Sequence, residues 1–244
     1  HTLEEKGREP QYDGYVESFT ENWEKLERYD NNAPKTMNAH LHVLEAYTLL
    51  YQCWKDNGLK KRLEFCVDLF MNRIYDPSRR HFNLFFDNEW NSLVEMDSYG
   101  HDVETGWLLC EAARTLENQD LIKRTNLLAL DVTGACLAEG MSDKGYMIYE
   151  KKGDRKTKHA SWWGQVETMI ACVNAWQISG DEAWLQSADT VWTFVKDHMV
   201  DKEYGEWYSD CFDGEPKKEA PKVSMWRCPY HTVRLGVEMY NRLK

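Results

Sequence analysis

The chain alternates between amphipathic segments and long polar loops. Apolar residues recur every three or four positions in "HLHVLEAYTLLYQCWKDNG", "LKKRLEFCVDLFMNRIY", "VETGWLLCEAARTLEN" and "DEAWLQSADTVWTFVKDHMV". This spacing puts the apolar side chains on one helix face and therefore predicts amphipathic α-helices. Short turns join neighbouring helices, so we expect antiparallel helical hairpins, with helix ends near Gly58, Asn118 and Gly180.

An internal repeat organises these helices. Related segments begin at intervals of roughly 60 residues: "HVLEAYTLL" from His42, "HDVETGWLL" from His101, "GQVETMIAC" from Gly164 and "HTVRLGVEM" from His231. Each of the last three follows a loop that contains aspartate and aromatic residues. The predicted unit is a loop, an inner helix, a turn and an outer helix. Repeated units of this kind predict an all-α fold, an (α/α)6 toroid or barrel of helical hairpins, and an open helical array is the alternative.

The length of the chain is short for a closed ring. Six hairpins at this repeat length need about 360 to 400 residues, and the chain has 244 and begins with His1 in front of a repeat loop. We therefore expect residues 1–244 to form a single α/α-barrel domain that is the C-terminal part of a longer protein and lacks the N-terminal hairpins.

Charge and hydropathy exclude two classes of partner. The net charge is −11 and the chain has no basic stripe, which argues against nucleic acid and against an anionic membrane surface. Mean hydropathy is −0.70, and no apolar run approaches the roughly 18 residues that span a bilayer. Seven scattered cysteines without a C-x-x-C motif favour reduced thiols, a cytoplasmic location and no zinc knuckle.

Tryptophan is unusually frequent, with 11 residues in a chain that is 13% aromatic. Aromatic rings beside polar side chains suit a sugar, which has apolar C–H faces and a rim of hydroxyl groups. Trp162, Trp163 and Trp226 lie just before inner helices. We interpret them as a stacking platform, with core packing as the plainer alternative.

Three histidines occupy related places in the repeat. We expect His42, His101 and His231 in the first turn of their inner helices, on the rim where helix N-termini converge. A helix N-terminus disfavours the imidazolium form, so these histidines are candidates for a base near neutral pH. A structural role is the alternative for each one.

Neighbouring polar residues lie on the same helix faces as these histidines. Glu104 comes three residues after His101, and Asn38 comes four residues before His42. His40 and His42 are two residues apart and point to different sides of a helix, so they do not chelate a metal together. Asp102 is expected to be a helix-start acid that points away from His101.

Four segments resemble one known family. "KTMNAHLHVLEAYTLL", "YGHDVETGWLL", "WWGQVE" and "WRCPYH" are similar, in this order, to the signature segments of the cellobiose 2-epimerase family, which includes mannobiose 2-epimerases. That family is part of the N-acylglucosamine 2-epimerase superfamily. The resemblance runs from "YDGYVESFTENW" to the C-terminus.

The resemblance implies a fold, a reaction and roles for named residues. It implies an (α/α)6 barrel that inverts C2 of the reducing-end sugar of a disaccharide such as cellobiose or mannobiose, without a cofactor or metal. His101 and His231 correspond to the acid/base histidines of the family, and His42 to the histidine that assists ring opening. The implied substrate contacts are Asn38, Glu104, Trp163 and Trp226, and the choice of Trp163 over Trp162 stays open.

Two other functions remain possible from the residues alone. A glycoside hydrolase on the same barrel needs two carboxylates across the scissile bond. Asp97, Asp102 and Glu104 are available, although they are crowded into one segment. The second alternative is a non-catalytic carbohydrate-binding fragment.

Overall fold

The computed structural model describes residues 2–26 and 28–244, without the side chain of Asp30. Within these residues, the chain forms seven α-helices: α1 (Met37–Cys53), α2 (Asn57–Leu69), α3 (Tyr99–Thr115), α4 (Gln119–Gly140), α5 (Trp162–Ser179), α6 (Ala183–Phe194) and α7 (Tyr230–Arg242). The π-helical turns Phe70–Ile74 and Val195–Met199 extend α2 and α6, and short helical turns at Leu3–Gly7 and Asp30–Asn32 precede α1. The predicted all-α fold of successive helices is confirmed.

Short strands lie in the loops between the helices. In the described part of the chain they are β1 (Lys35–Thr36), β2 (Tyr75–Asp76), β3 (His81–Phe82), β4 (Phe85–Phe86), β5 (Met96–Ser98), β6 (Glu150–Lys152), β7 (Arg155–Thr157), β8 (His159–Ser161), β9 (Asp210–Phe212) and β10 (Glu215–Pro216). Strands β1 and β4, β2 and β3, and β6 and β7 form antiparallel pairs, and β8, β9 and β10 form one antiparallel sheet. Strand β8 leads directly into α5, so this sheet fixes where α5 begins.

The chain folds into two compact units. The first unit contains the chain up to Asp97 together with Glu111–Ile122, and the second contains Ser98–Cys110 and Lys123–Lys244. In the first unit, α1 packs against α2, and in the second unit α5 packs against both α6 and α7. Helices α3 and α4 contribute residues to both units.

Helix α5 is the core of the second unit. Every residue from Gly164 to Ala175 is buried, including the polar residues of that stretch. A helix that is buried on all sides carries apolar or hydrogen-bonded residues around its whole circumference. Any polar side chain that α5 contributes is therefore held in a fixed, water-poor place.

Side-chain caps define the helix starts. Thr36 Oγ1 accepts a hydrogen bond from Ala39 N–H at the start of α1, and Ser161 Oγ accepts one from Gly164 N–H at the start of α5. Gly180 ends α5 with φ of +73°, as expected for a glycine that follows a helix.

The other two expected helix ends are wrong. Gly58 lies inside the first turn of α2, because Asp56 caps that helix by accepting a hydrogen bond from Leu59 N–H. Asn118 starts α4, since its Oδ1 accepts hydrogen bonds from the N–H groups of Asp120 and Leu121. Gly58 and Asn118 therefore lie at the starts of the following helices, α2 and α4.

All seven cysteines lie in the described residues, and none of them forms a disulfide bond. Five of them are buried, and Cys53 and Cys228 are exposed. Among the described residues, no helix is long and apolar enough to cross a membrane.

A buried histidine holds the loop before α1 in the first unit. His40 has no exposed surface, and its Nε2 accepts a hydrogen bond from Tyr15 N–H at 2.8 Å. Its Nδ1 donates to Thr36 O at 2.6 Å, and the ring packs against Trp90. Burial is the main cause that lowers the pKa of His40 to about 4. Protonation would put a second donor opposite the N–H of Tyr15, so the folded state needs the neutral ring.

We predict that His40 makes the fold acid-sensitive. In the unfolded chain its pKa is near 6.5, so the unfolded state binds the extra proton first and the folded state loses stability as the pH falls from about 6.5 to about 4. The loss amounts to about 3 kcal/mol of unfolding free energy. Urea unfolding from pH 7 to pH 4 measures it. His40→Gln should remove this part of the pH dependence, and an unchanged slope in that variant would contradict the assignment.

Candidate active site

Two of the three repeat histidines lie at helix starts in the second unit. His101 is the third residue of α3, and its Nδ1 shares a hydrogen bond of 2.7 Å with Ser98 Oγ. His231 is the second residue of α7, two residues after the cap residue Pro229. Its Nδ1 lies 2.7 Å from Oε1 of Glu167, which accepts the hydrogen bond. The expectation of first-turn histidines is confirmed for this pair, and each ring is held through Nδ1.

One indole contacts both imidazoles. The centroid of the Trp163 ring lies 4.6 Å from that of His101 and 5.9 Å from that of His231. Trp162 presents its edge to His231 at 6.2 Å. The structure therefore brings Trp163 together with both histidines.

Gly100 makes this approach possible. A Cβ atom at that position would lie 2.6 Å from Cζ3 of Trp163 and 3.2 Å from the Cα atom of Gly164. The first distance is far below van der Waals contact, and the second involves backbone that cannot swing away. The residue before His101 must lack a side chain for the indole to reach the imidazole.

A buried ion triad lies beside His231. Nη1 of Arg234 donates to Oε1 of Glu104 at 2.7 Å and to Oε1 of Glu167 at 3.1 Å. The two carboxylate side chains are 2% and 0% exposed, and the guanidinium stacks on the Tyr230 ring at 4.2 Å. Nε1 of Trp107 donates to the second oxygen of Glu167 at 2.9 Å. Glu167 therefore receives hydrogen bonds on both oxygens and is fixed in place.

Glu104, Glu167 and His231 are arranged like the ligands of a metal ion, but the positive charge between the two carboxylates is the Arg234 guanidinium. Ligand atoms of Glu104, Glu167 and His231 lie within 4.8 Å of one another. The guanidinium already bridges the two carboxylates and balances part of their charge. A divalent ion there would have to displace a buried arginine, so these residues fit an ion triad better than a metal site.

The remaining predicted residues of the second unit differ in burial and in hydrogen-bond partners. Glu104 shares a helix with His101 as expected, and its carboxylate bonds to Arg234. Asp102 lies in the first turn of α3 as expected, but it is fully buried, and Cys136 Sγ donates to its Oδ2 at 3.9 Å. Trp226 lies in the loop before α7 and is 83% exposed.

Asn38 and His42 belong to the first unit and lie on α1. The helix begins at Met37, so Asn38 is in its first turn, and the two residues lie four positions apart on one face. The expectation that His42 occupies the first turn is wrong, because Thr36 caps the helix six residues earlier and His42 is in the second turn. Its Nδ1 lies 3.3 Å from Glu45 Oε2, and the side chain is about half exposed. His40 is buried on another side of α1, so the predicted divergence of the two histidines is confirmed.

Sequence reasoning missed Glu167, Arg234 and Ser98. A signal for the first two is present in the repeat. The residue three positions after each repeat start is Glu45, Glu104, Glu167 and Arg234 in turn. An arginine in a column of acids predicts an ion pair between neighbouring repeats. No comparable pattern marks Ser98.

The family model of N-acylglucosamine 2-epimerase matches residues 1–234. The chain belongs to this family. It is 40% identical to the cellobiose 2-epimerase of Bacteroides fragilis over 236 residues, which cover 93% of this chain and 59% of that protein. It is 35% identical to the cellobiose 2-epimerase of Dictyoglomus turgidum, covering 94% of this chain and 60% of that protein.

Solved structures of the family match the fold. The cellobiose 2-epimerase of Bacillus thermoamylovorans B4167 superposes with a TM-score of 0.94 at 34% identity, over 99% of this chain and 63% of that one. A sugar epimerase from a ruminal bacterium gives 0.92 at 35% identity, over 98% and 62%. A D-mannose isomerase, at 17% identity and a TM-score of 0.82 over 98% and 63%, shares the fold. The chain thus spans about three fifths of the length of these family members.

We predict that the triad is required for the fold of the second unit. Arg234→Leu leaves two buried carboxylates without their cation, which costs about 3–5 kcal/mol of unfolding free energy. Urea unfolding of the variant measures this loss. Arg114→Leu serves as the control, because Arg114 pairs with Glu111 where both side chains are partly exposed. A loss below about 1 kcal/mol is typical of such pairs, and an equally small loss for Arg234→Leu would contradict the prediction.

Proposed function

We propose that the protein is a cofactor-independent isomerase that inverts C2 of the reducing-end sugar of a β-1,4-linked disaccharide of the cellobiose or mannobiose type. The observation that carries the proposal is the pair His101 and His231, two imidazoles held through Nδ1 against the same indole. Membership of a sugar epimerase family and the cellobiose 2-epimerase relatives support the same reaction.

The proposed chemistry is a proton transfer at C2. Once the sugar ring has opened, the C2 proton lies next to the aldehyde carbon, and its removal leaves a cis-enediolate. One histidine removes the proton from one face, and the other returns a proton to the opposite face, which inverts C2. Acid–base groups of this kind contribute about 10² to 10⁴ in rate.

Glu167 supports this role for His231. Its carboxylate accepts a hydrogen bond from Nδ1–H of His231, and this fixes the tautomer in which Nε2 carries the lone pair. The same carboxylate stabilises the imidazolium that forms when Nε2 takes a proton. Glu167 is itself locked by Arg234 and Trp107, so the ring has a defined orientation before the substrate arrives.

The substrate contacts are part of the proposal. Trp163, which contacts both histidines, and Trp226, which is largely exposed, are proposed to stack on the two sides of the disaccharide. Glu104 is proposed to hydrogen-bond a sugar hydroxyl. His42 is proposed to assist ring opening, and Asn38 to bind the sugar.

Isotope exchange tests the reaction directly. We expect the full-length protein to convert cellobiose or mannobiose to its C2 epimer and to introduce deuterium at C2 in D₂O, as measured by NMR. His101→Asn and His231→Asn should abolish epimerisation, and His42→Asn should weaken it.

An epimer without deuterium at C2 would rule out proton abstraction. Release of monosaccharide would identify a glycoside hydrolase, and binding without turnover would identify a carbohydrate-binding protein.

We predict a catalytic defect when the charge on Glu167 is removed. Glu167→Gln keeps the size of the side chain but loses the charge that stabilises the His231 imidazolium. We expect kcat to fall by about 10² or more, with a small change in KM. The control is Glu238→Gln, which affects a carboxylate that pairs with Arg242 on the same helix. A kcat within about twofold of wild type for Glu167→Gln would contradict this role.

A further inference from the structure

A tight turn presents two apolar side chains ahead of α7. Ser224 N–H donates to Arg227 O at 2.9 Å, and Arg227 N–H donates to Ser224 O at 3.3 Å. These bonds close a four-residue turn with Met225 and Trp226 at its tip, 84% and 83% exposed. Side chains this exposed gain little free energy from the fold itself, and they are available to contact a ligand.

The buried side chain of Arg227 anchors this turn through hydrogen bonds to backbone carbonyl groups. It is only 3% exposed, whereas the two residues before it are almost fully exposed. Nη2 donates to Trp207 O at 2.5 Å and lies 3.5 Å from Glu206 Oε1, and Nη1 donates to Lys222 O. The guanidinium therefore ties the turn to the segment that precedes β9.

The same guanidinium connects the turn to the candidate active site. It lies 5.0 Å from the centroid of the Trp162 ring, whose edge faces His231 at 6.2 Å. Among the described residues, neither Arg227 Nε nor Trp162 Nε1 has a hydrogen-bond acceptor, although both atoms are buried. The guanidinium therefore joins the turn to the aromatic group beside His231.

We propose that Arg227 is a positioning residue of the epimerase: it holds Trp226 in the place where that indole stacks on the bound disaccharide, and it links the turn to Trp162 beside His231. The inference rests on the proposed function. Arg227 touches neither the substrate nor the reacting atoms, so it acts through Trp226. Losing Arg227 should then weaken binding of the sugar and leave the proton transfer almost intact.

A double-mutant cycle tests this coupling in the full-length protein. The variants are Arg227→Met, which keeps the apolar part of the side chain, Trp226→Ala, and both together. KM and kcat for epimerisation of cellobiose, and the Kd of cellobiose by calorimetry, are measured for each. Lys218→Met is the matched control, because Lys218 is an exposed lysine of the same loop.

We expect Arg227→Met and Trp226→Ala each to raise KM and Kd roughly tenfold with kcat within about twofold of wild type. The double variant should be no worse than Trp226→Ala alone, since the two residues act as one unit. Lys218→Met should match wild type in KM.

Several results would overturn the inference. Additive effects in the double variant, or a fall in kcat and thermal stability without a change in Kd, would show a structural role only. A wild-type KM for Arg227→Met in an active enzyme would overturn the inference and leave the proposed function standing. If wild type binds cellobiose without turnover, the cycle in Kd still decides about Arg227 and only the proposed reaction fails. If wild type neither binds nor converts the sugar, both proposals fail.

Discussion

The second unit depends on one cation that bridges two buried carboxylates. Arg234 joins Glu104 on α3 to Glu167 on α5 from its own place on α7, so three helices meet at a single guanidinium. Buried charges are tolerated when they are paired and hydrogen-bonded, and a missing partner is strongly destabilising. The triad therefore leaves these helices little freedom to rotate, and His101 and His231, at the starts of α3 and α7, inherit that constraint.

The same constraint separates two kinds of residue around the histidines. Glu167 is fully buried and bonded on both oxygens, so in the proposed reaction it acts only through His231. Trp226 is almost fully exposed, and it is connected to the rest of the unit through Arg227. In the proposed reaction, rigid buried groups orient His231, and the exposed Trp226, proposed to be positioned by Arg227, contacts the sugar.

Helical periodicity was sufficient to predict the elements but not their detailed limits. The inner and outer helices follow from apolar spacing, and the expected helix end at Gly180 is confirmed, with the positive φ that favours glycine there. Gly58 and Asn118 do not distinguish the two cases, because glycine and asparagine also occur at helix starts. His42 was placed one turn too early, since nothing in the repeat shows that α1 begins at Met37. The histidines, and the arginine among the acids of the repeat, can be found by comparing the repeats, whereas no sequence pattern marks the bond between Ser98 and His101.

The charge of the residue three positions after each repeat start, which is Arg234 in the last repeat, limits how freely the repeats can be exchanged. Three successive repeats carry glutamate at this position and the fourth carries arginine, so the repeats are related in shape but differ in charge. A chimera that replaced the last repeat with a copy of an earlier one would place three carboxylates together in the buried interior. Recombination that keeps this charge balance must therefore exchange α3, α5 and α7 together. The order of the repeats matters, because the fourth repeat has arginine where the first three have glutamate.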